Sequence, residues 1–319
     1  MHPARVPCRR QAQDFRRAGG GAAVTDGVIV LDKPAGITSF RAVERAGRAI
    51  RAKKCGHAGT LDPLATGILL VCAGRATKIA GYLAAQEKEY EASFRFGEAT
   101  DTGDVTGKVT ESRPGEFARE EAVVSALSGL VGTREQVPPA FSAVKVAGKR
   151  AYAMARQGVP VALPPRVVTL HEARLLSWSE EGFRVLLRCS KGYYVRSLPR
   201  DLERALGVPM TVSALRRVRS GLFRIEDAVA LDALIEEGKR GTAASRLVPI
   251  GKALAGFPQW EIPPDAVAAV RHGGTPAPWL AGRDPGPAQG VVLLTHGKEG
   301  PVALVERVGE GRWKIVRGI

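Results

Sequence analysis

The chain has 319 residues, and 47 Lys+Arg against 32 Asp+Glu give a formal net charge of +15. With 45% hydrophobic and 25% charged residues it has the balance of a folded globular chain, long enough for one large core and a smaller second domain. No apolar run reaches the roughly 20 residues of a membrane-spanning helix. The four cysteines (Cys8, Cys55, Cys72, Cys189) form no CxxC pair, which argues against a disulfide scaffold, against a structural zinc site and for a reducing cytoplasm. The charge is uneven. From Arg134 to Arg224 there are 17 Lys/Arg and 6 Asp/Glu, so an excess of +11 falls in less than a third of the chain. A local excess of that size points to a polyanionic partner, by field focusing and counterion release.

Residues 1–26 carry five Arg and a Gly19-Gly20-Gly21 run with no sustained apolar period, and read as a disordered basic extension. They contain no continuous apolar segment of the secretory kind. Val28 to Leu31 reads as a short buried strand, and Asp32 to Gly36 as turn chemistry. Thr38 or Ser39 then caps a helix, with Phe40, Val43, Ala46 and Ile50 at core spacing and Arg41, Arg45, Arg48 and Arg51 on the wet face. A Gly-rich loop from Gly56 to Gly67 leads into a second buried strand, Ile68 to Cys72.

Glu89 to Phe96 alternates, so Tyr90, Ala92, Phe94 and Phe96 share one side of a strand. Thr100 to Gly107 is a polar turn and Arg119 to Leu130 an amphipathic helix. Pro138 to Gly158 is a basic segment with two aromatics, Phe141 and Tyr152. Phe183 to Cys189 is a further strand. Leu198 to Leu206 is a short helix, with Pro199 tolerated in its first turn and Gly207 ending it. Composition shifts near Phe257, and strand-like runs at Val291–Thr295, Val302–Glu306 and Arg312–Val316 suggest a small β domain over 257–319. The main domain, 27–250, mixes strands and helices without a βαβα rhythm, which gives α+β.

Absences narrow the chemistry. There is no GxxxxGK[ST], no GxGxxG after a strand, no HExxH and no tight His/Cys cluster, so no cofactor and no metal are expected. The densest segment is GHAGTLDPLATG, Gly56 to Gly67. Glycines allow close backbone approach to a ligand, and Pro63 biases Asp62 away from helical dihedrals. Asp62 therefore sits on a stiff, extended piece between a Gly loop and a buried strand. The pattern fits a carboxylate held out to a substrate and fits equally an Asx turn before a strand.

GHAGTLDPLATGILLVCAGRATK resembles the catalytic motif of the bacterial TruB-type tRNA pseudouridine-55 synthases. LDKPAGITS (Leu31 to Ser39) resembles the family's N-terminal motif, and QVPPAFSAVKVAGKRAYAMARQG (Gln136 to Gly158) its RNA-gripping loop. CSKGYYVRSLPRDL (Cys189 to Leu202) and TVSALRR (Thr211 to Arg217) resemble two further motifs, in the family's order. The resemblance implies a mixed, mainly antiparallel sheet flanked by helices, with a small PUA-like RNA-binding domain at 257–319. It implies isomerisation of a uridine in the T-loop of tRNA, with no cofactor or metal, by a monomeric cytoplasmic enzyme. Relatives that serve as the catalytic subunit of guide-RNA particles share the Asp loop, and a non-enzymatic tRNA-folding chaperone would keep the RNA-gripping surface. The GHAGTLDPLATG wording and the long loop resemble the stand-alone enzyme more.

Residue by residue, the resemblance makes Asp62 the catalytic aspartate, Arg196 its arginine partner and Tyr90 the active-site tyrosine. A guanidinium beside a carboxylate favours the charged form. Tyr194 and Leu215 match positions lining the base pocket, although by residue type alone both are core residues. His57 matches a histidine that contacts the RNA loop, where an imidazole can fill the stack vacated by an extruded base. Lys33 and Pro34 match the N-terminal motif and shape the floor of the site. Lys191 is suited to phosphate, as are Lys145, Lys149, Arg150 and Arg156 of the loop about 136–158, with Phe141 and Tyr152 as packing or stacking surfaces. Many family members have Tyr where this chain has Phe141.

Overall fold

The computed structural model describes residues 6–7, 26–139, 141, 145–146, 149–150, 163–283, 290–309 and 312–319. Two strands near its start explain the continuous apolar runs Val28 to Leu31 and Ile68 to Ala73. In Gly27–Lys33, Ile29 and Leu31 enter one core cluster while Val28 and Val30 enter another, on the opposite face. Thr66–Ala73 pairs antiparallel with it from Gly27↔Ala73 to Lys33↔Gly67 and divides the same way, Leu69 and Val71 to one face, Ile68 and Leu70 to the other. A strand covered on both faces reads as a continuous apolar run.

These strands belong to a mixed, mainly antiparallel sheet. Its order along the main path, among the described residues, is Val6–Pro7, Lys54–Ala58, Thr66–Ala73, Met210–Ser220, Lys88–Phe96, Gly182–Cys189, Arg166–Ser179 and Gly132–Gln136. Two sub-sheets meet at a seam where Thr66–Ala73 runs parallel to Met210–Ser220 over only two pairs, Arg216↔Thr66 and Arg217↔Gly67. A bidentate ion pair fastens the seam, with Arg216 Nη1 3.1 Å from Asp32 Oδ1 and Nη2 2.8 Å from Asp32 Oδ2. Gly67 makes the approach possible. Its φ is +92°, and a Cβ there would stand 2.3 Å from the Arg217 carbonyl oxygen.

Helices Ser39–Ala49, Glu120–Leu130, Leu198–Leu206 and Leu231–Lys239 supply apolar side chains to one face of the sheet. Thr38 caps the first of them, its side chain accepting from the Arg41 amide at 3.2 Å, and the four arginines at 41, 45, 48 and 51 are exposed as expected. Phe40 is a correction. It is 50% exposed, because the buried stripe runs through Ser39, Ala42, Val43 and Ala46, a rotation of one residue. The alternation of Lys88–Phe96 follows expectation, with Ala92, Phe94 and Phe96 buried. The long strand Arg166–Ser179 was not legible, since register shifts at Leu170/Glu172 and Leu175/Ser177 break its alternation.

At the C-terminus Gln259–Glu261, Val291–His296, Gly300–Gly309 and Arg312–Gly318 form a separate four-stranded sheet. Val292 and Leu294 face its own core with Ile262, Val267 and Trp313. Leu293 and Leu304 face the other way, and pack with Phe257, Leu254 and Val28 against the main sheet. The N-terminal segment departs from the expected disorder at two places. Val6–Pro7 pairs antiparallel with Cys55 and Lys54, and Asp26 accepts from the Arg75 amide at 2.8 Å. The rest of residues 1–25 lies outside the described residues.

The seam yields a stability test. Gly67→Ala adds a side chain at positive φ against a neighbouring backbone and is expected to lower unfolding free energy by about 2 kcal/mol or more, read from the urea midpoint. An unchanged midpoint would show that the two sub-sheets are not held at this spacing.

Candidate active site

Asp62 follows the Lys54–Ala58 strand by four residues and precedes Thr66–Ala73, so its loop lies beside the seam. The N-terminal motif holds this loop. Ser39 Oγ donates to the Leu61 carbonyl at 2.9 Å and accepts from the Leu61 amide at 2.8 Å. The Gly36 amide donates to the Pro63 carbonyl at 2.8 Å, and the Asp62 carbonyl accepts from Ala65 N at 3.1 Å. Beneath the loop Lys33, fully buried, donates through Nζ to the carbonyls of Pro34 (2.8 Å), Ile37 (2.9 Å) and Pro63 (3.3 Å). Burial pulls its pKa down to about 8, against the opposing pull of Asp62. Lys33 is thus a strut under the loop, bonded to three backbone carbonyls.

Arg196 arrives from the other sub-sheet, in a 3-10 turn (Val195–Ser197) that opens the Leu198–Leu206 helix. Its Nε donates to Asp62 Oδ2 at 2.7 Å and Nη2 to Asp62 Oδ1 at 3.1 Å, a bidentate fork. The Arg196 side chain is 5% exposed and that of Asp62 34%, so the carboxylate is open on the side away from the arginine. Two more guanidinium donors are engaged: Nη1 donates to the Thr102 carbonyl at 3.0 Å and Nη2 to the Phe141 carbonyl at 2.7 Å. A second carboxylate stands close, with Asp104 Oδ2 3.6 Å from Nε, and its Oδ1 accepts from the Thr106 amide at 2.9 Å and Thr102 Oγ1 at 3.0 Å. Gly103 is needed between them. At φ +72°, a Cβ there would sit 2.2 Å from the Arg196 carbonyl oxygen.

The open side of Asp62 faces a cleft of ≈ 280 Å³, which Tyr90, Tyr194, Arg196 and Leu215 also line. Five of the residues singled out by sequence are therefore together. Tyr90 is partly buried. Burial pushes its phenol above the ordinary 10, against the opposing pull of the Arg217 guanidinium. Tyr90 therefore meets the cleft as a neutral phenol. Gln136 fixes Tyr194 through the backbone, donating to its carbonyl at 3.1 Å and accepting from its amide at 2.8 Å. His57 is on a strand rather than in the expected Gly-rich loop, two residues before Gly59 of the cleft wall. Lys191 is exposed at the rim, between Ser190 and Gly192, which line the cleft. Lys145–Val146 and Lys149–Arg150 pair as a short hairpin. The side chains of Lys145, Lys149 and Arg150, and all of Tyr152 and Arg156, lie outside the described residues.

Several residues of the site were not anticipated. Thr102, Gly103 and Asp104 were read as a polar turn. Arg217 is 1% exposed, donates to the carbonyls of Ile68 (2.7 Å) and Gly59 (3.0 Å), and lies opposite Tyr90 in the sheet. Lys88 shares the cleft face of its strand with Tyr90, and its Nζ donates to the carbonyls of Ala84 and Gln86. The available signal was a cation in step with apolar positions of an alternating strand, Lys88 with Tyr90 and Ala92, Arg217 with Leu215. Burial and Arg217 pull the Lys88 pKa down to about 7.

Residues 47–195 match the family model for the N-terminal domain of the TruB family pseudouridylate synthases. The tRNA pseudouridine synthase B of Bordetella pertussis is 46% identical over 230 residues, covering 71% of this chain and 94% of that one. The chain belongs to the TruB family. The tRNA pseudouridine synthase B of Thermobifida fusca, a further relative, is 43% identical over 259 residues, covering 78% of this chain and 86% of that one. Among solved structures, a chain in a Cbf5–Nop10–Gar1 complex superposes with TM-score 0.68 at 26% identity, covering 90% of this chain and 80% of that chain. A chain of an H/ACA RNP bound to a substrate RNA containing 2′-deoxyuridine gives 0.69 at 24% identity over 92% and 85%, which bears on the fold alone. The TruB motifs are thus the parts that converge here: the N-terminal motif clamps the Asp62 loop, and the motif around Arg196 carries its partner.

The buried lysine gives a pH test with a defined sign. Between about pH 7 and the ordinary 10.5, folded Lys88 is neutral while the unfolded chain holds the proton, so its contribution to stability rises with pH. Relative to Lys88→Met, the wild type is expected to gain up to ~1.4 kcal/mol per pH unit in that window. Parallel stability profiles for the two proteins would contradict the burial of an ionisable group here.

Proposed function

We propose that this TruB-family chain converts uridine to pseudouridine in the T-loop of tRNA, at position 55, with Asp62 as the catalytic carboxylate. The observation that carries the proposal is the open face of Asp62 held by Arg196 in a cleft with Tyr90, Tyr194 and Leu215. Uridine in a stacked loop cannot reach such a cleft, so the base must leave the stack, at a cost of a few kcal/mol. The aromatic rings and Leu215 offer the uracil an apolar slot, and the sugar then stands at Asp62. The N1–C1′ bond breaks, the base turns, C1′ bonds to C5, the C5 proton leaves and N1 gains one, so atoms balance without redox chemistry. Arg196 orients the carboxylate and offsets its charge. Lys33 and Ser39 keep the loop from yielding as the sugar is engaged.

His57 and Lys191 flank the cleft, where they serve the RNA loop and its phosphates, and Lys145, Lys149 and Arg150 extend that grip along the 136–158 segment. The module at 257–319 is a PUA-like domain that adds RNA-binding surface to the catalytic domain of 27–250. The reaction needs no cofactor, metal ion or partner protein, and the enzyme acts as a monomer in the cytoplasm, where its RNA is found. Among the described residues no helix is long and apolar enough to cross a membrane. The relatives named tRNA pseudouridine synthase B, at 41–46% identity, favour a stand-alone enzyme over a guide-dependent subunit, and a chaperone has no use for the Asp62–Arg196 fork.

Because C5 loses its hydrogen, tritium released from T-loop RNA labelled at uridine C5 reads the reaction. The wild type, alone and in EDTA, is expected to release it, and Asp62→Asn to be at least ~10³-fold slower. Full turnover by Asp62→Asn would refute the catalytic assignment. Turnover only with added protein or guide RNA would refute the stand-alone reading.

A further inference from the structure

Among the described residues, five ionisable side chains line the catalytic cleft: Asp62, Lys88, Arg166, Arg196 and Arg217. The only anion among them, Asp62, is taken by Arg196. Arg217 is engaged by the carbonyls of Ile68 and Gly59, and Lys88 by those of Ala84 and Gln86. The Arg166 side chain makes no hydrogen bond or ion pair among the described residues. Nor can its neighbours in sequence supply a carboxylate, since the chain from Gln136 to His171 contains no Asp or Glu.

The fold aims this arginine. In the antiparallel pairing of Arg166–Ser179 with Gly132–Gln136, Arg166 is opposite Gln136, and directly paired residues put their side chains on one face. Gln136 is buried on that face and grips the Tyr194 backbone from both sides. The next residue, Val167, points away and is 70% exposed. Arg166 is therefore presented, half-buried, at the cleft wall beside Tyr194. A cation partly removed from water without a counter-charge is an uncompensated electrostatic cost in the free protein. Uracil is neutral and does not balance it. The phosphodiesters that accompany an extruded nucleotide do, and the planar guanidinium fits phosphate oxygens in a bidentate way.

We propose that Arg166 binds a phosphodiester flanking the extruded uridine and so fixes the sugar over Asp62. The assignment rests on reading the cleft as the uridine site, and makes Arg166 a positioning residue. The test is an equilibrium titration of wild type, Arg166→Gln and Arg166→Lys with a T-loop RNA hairpin. The hairpin carries either all phosphates or one neutral methylphosphonate, at the 5′ or the 3′ linkage of the target uridine. Arg166→Gln is expected to weaken binding to the unmodified hairpin by ~10–100-fold, and Arg166→Lys, which keeps the charge, to recover part of it. A methylphosphonate at one of the two linkages is expected to weaken the wild type by a similar factor and Arg166→Gln by no further amount, which identifies the phosphate. The proposal is overturned if Arg166→Gln binds like the wild type, or if both methylphosphonates weaken it as much as they weaken the wild type. Affinity is read without turnover, so the two readings fail separately. A chain inactive on this RNA that shows the coupling loses the reaction and keeps the phosphate contact. An active chain without the coupling loses only the contact.

Discussion

A guanidinium that is 5% exposed has to place its donors on the protein, and Arg196 places them on three segments far apart in sequence: the carboxylate of Asp62 and the carbonyls of Thr102 and Phe141. Breaking a buried charge pair by removing one partner costs several kcal/mol, because the other charge is left uncompensated. This constraint organises the site. It draws the Asp62 loop toward the second sub-sheet across the seam, it requires Gly103 where the Thr102 segment closes on it, and it fastens the root of the 136–158 segment at Phe141. The loop proposed to grip RNA therefore starts from the same side chain that orients the proposed catalytic carboxylate.

The seam explains why a carboxylate can be held so tightly at an open cleft. Two sub-sheets joined by two parallel pairs leave a gap at their ends. The Asp62 loop occupies one side of that gap and Tyr90 and Leu215, on adjacent strands, the other. Rigid elements on both sides hold the geometry better than a free loop would. The Asp32–Arg216 pair and Gly67 keep the seam closed beneath the loop, while Lys33 and Ser39 hold the loop from the side of the first sub-sheet.

Much of this was legible in the sequence. The paired apolar strands, the capped helix after Thr38, the alternation that ends at Phe96 and the helix from Leu198 to Leu206 all follow from local chemistry. The resemblance of five ordered motifs pointed to Asp62, Tyr90, Arg196, Tyr194 and Leu215 as parts of one site. Phe40 was misread because a helical stripe can be rotated by one residue without losing its period, and Ser39 is kept inward by its bonds to Leu61. Lys88, Arg166 and Arg217 escaped because the value of an inward cation depends on which strand stands opposite. That is set by register, as in Arg217 beside Tyr90 and Arg166 beside Gln136, and register is not encoded locally.

The central claim is that a uridine leaves its stack to meet the open face of Asp62. The most direct measurement is a crystal structure of the chain with a T-loop stem. The account predicts the target uridine unstacked, its base between Tyr90 and Leu215 and its C1′ in contact with the Asp62 carboxylate. A target uridine still stacked in the RNA, with the cleft filled by another part of the molecule, would contradict it.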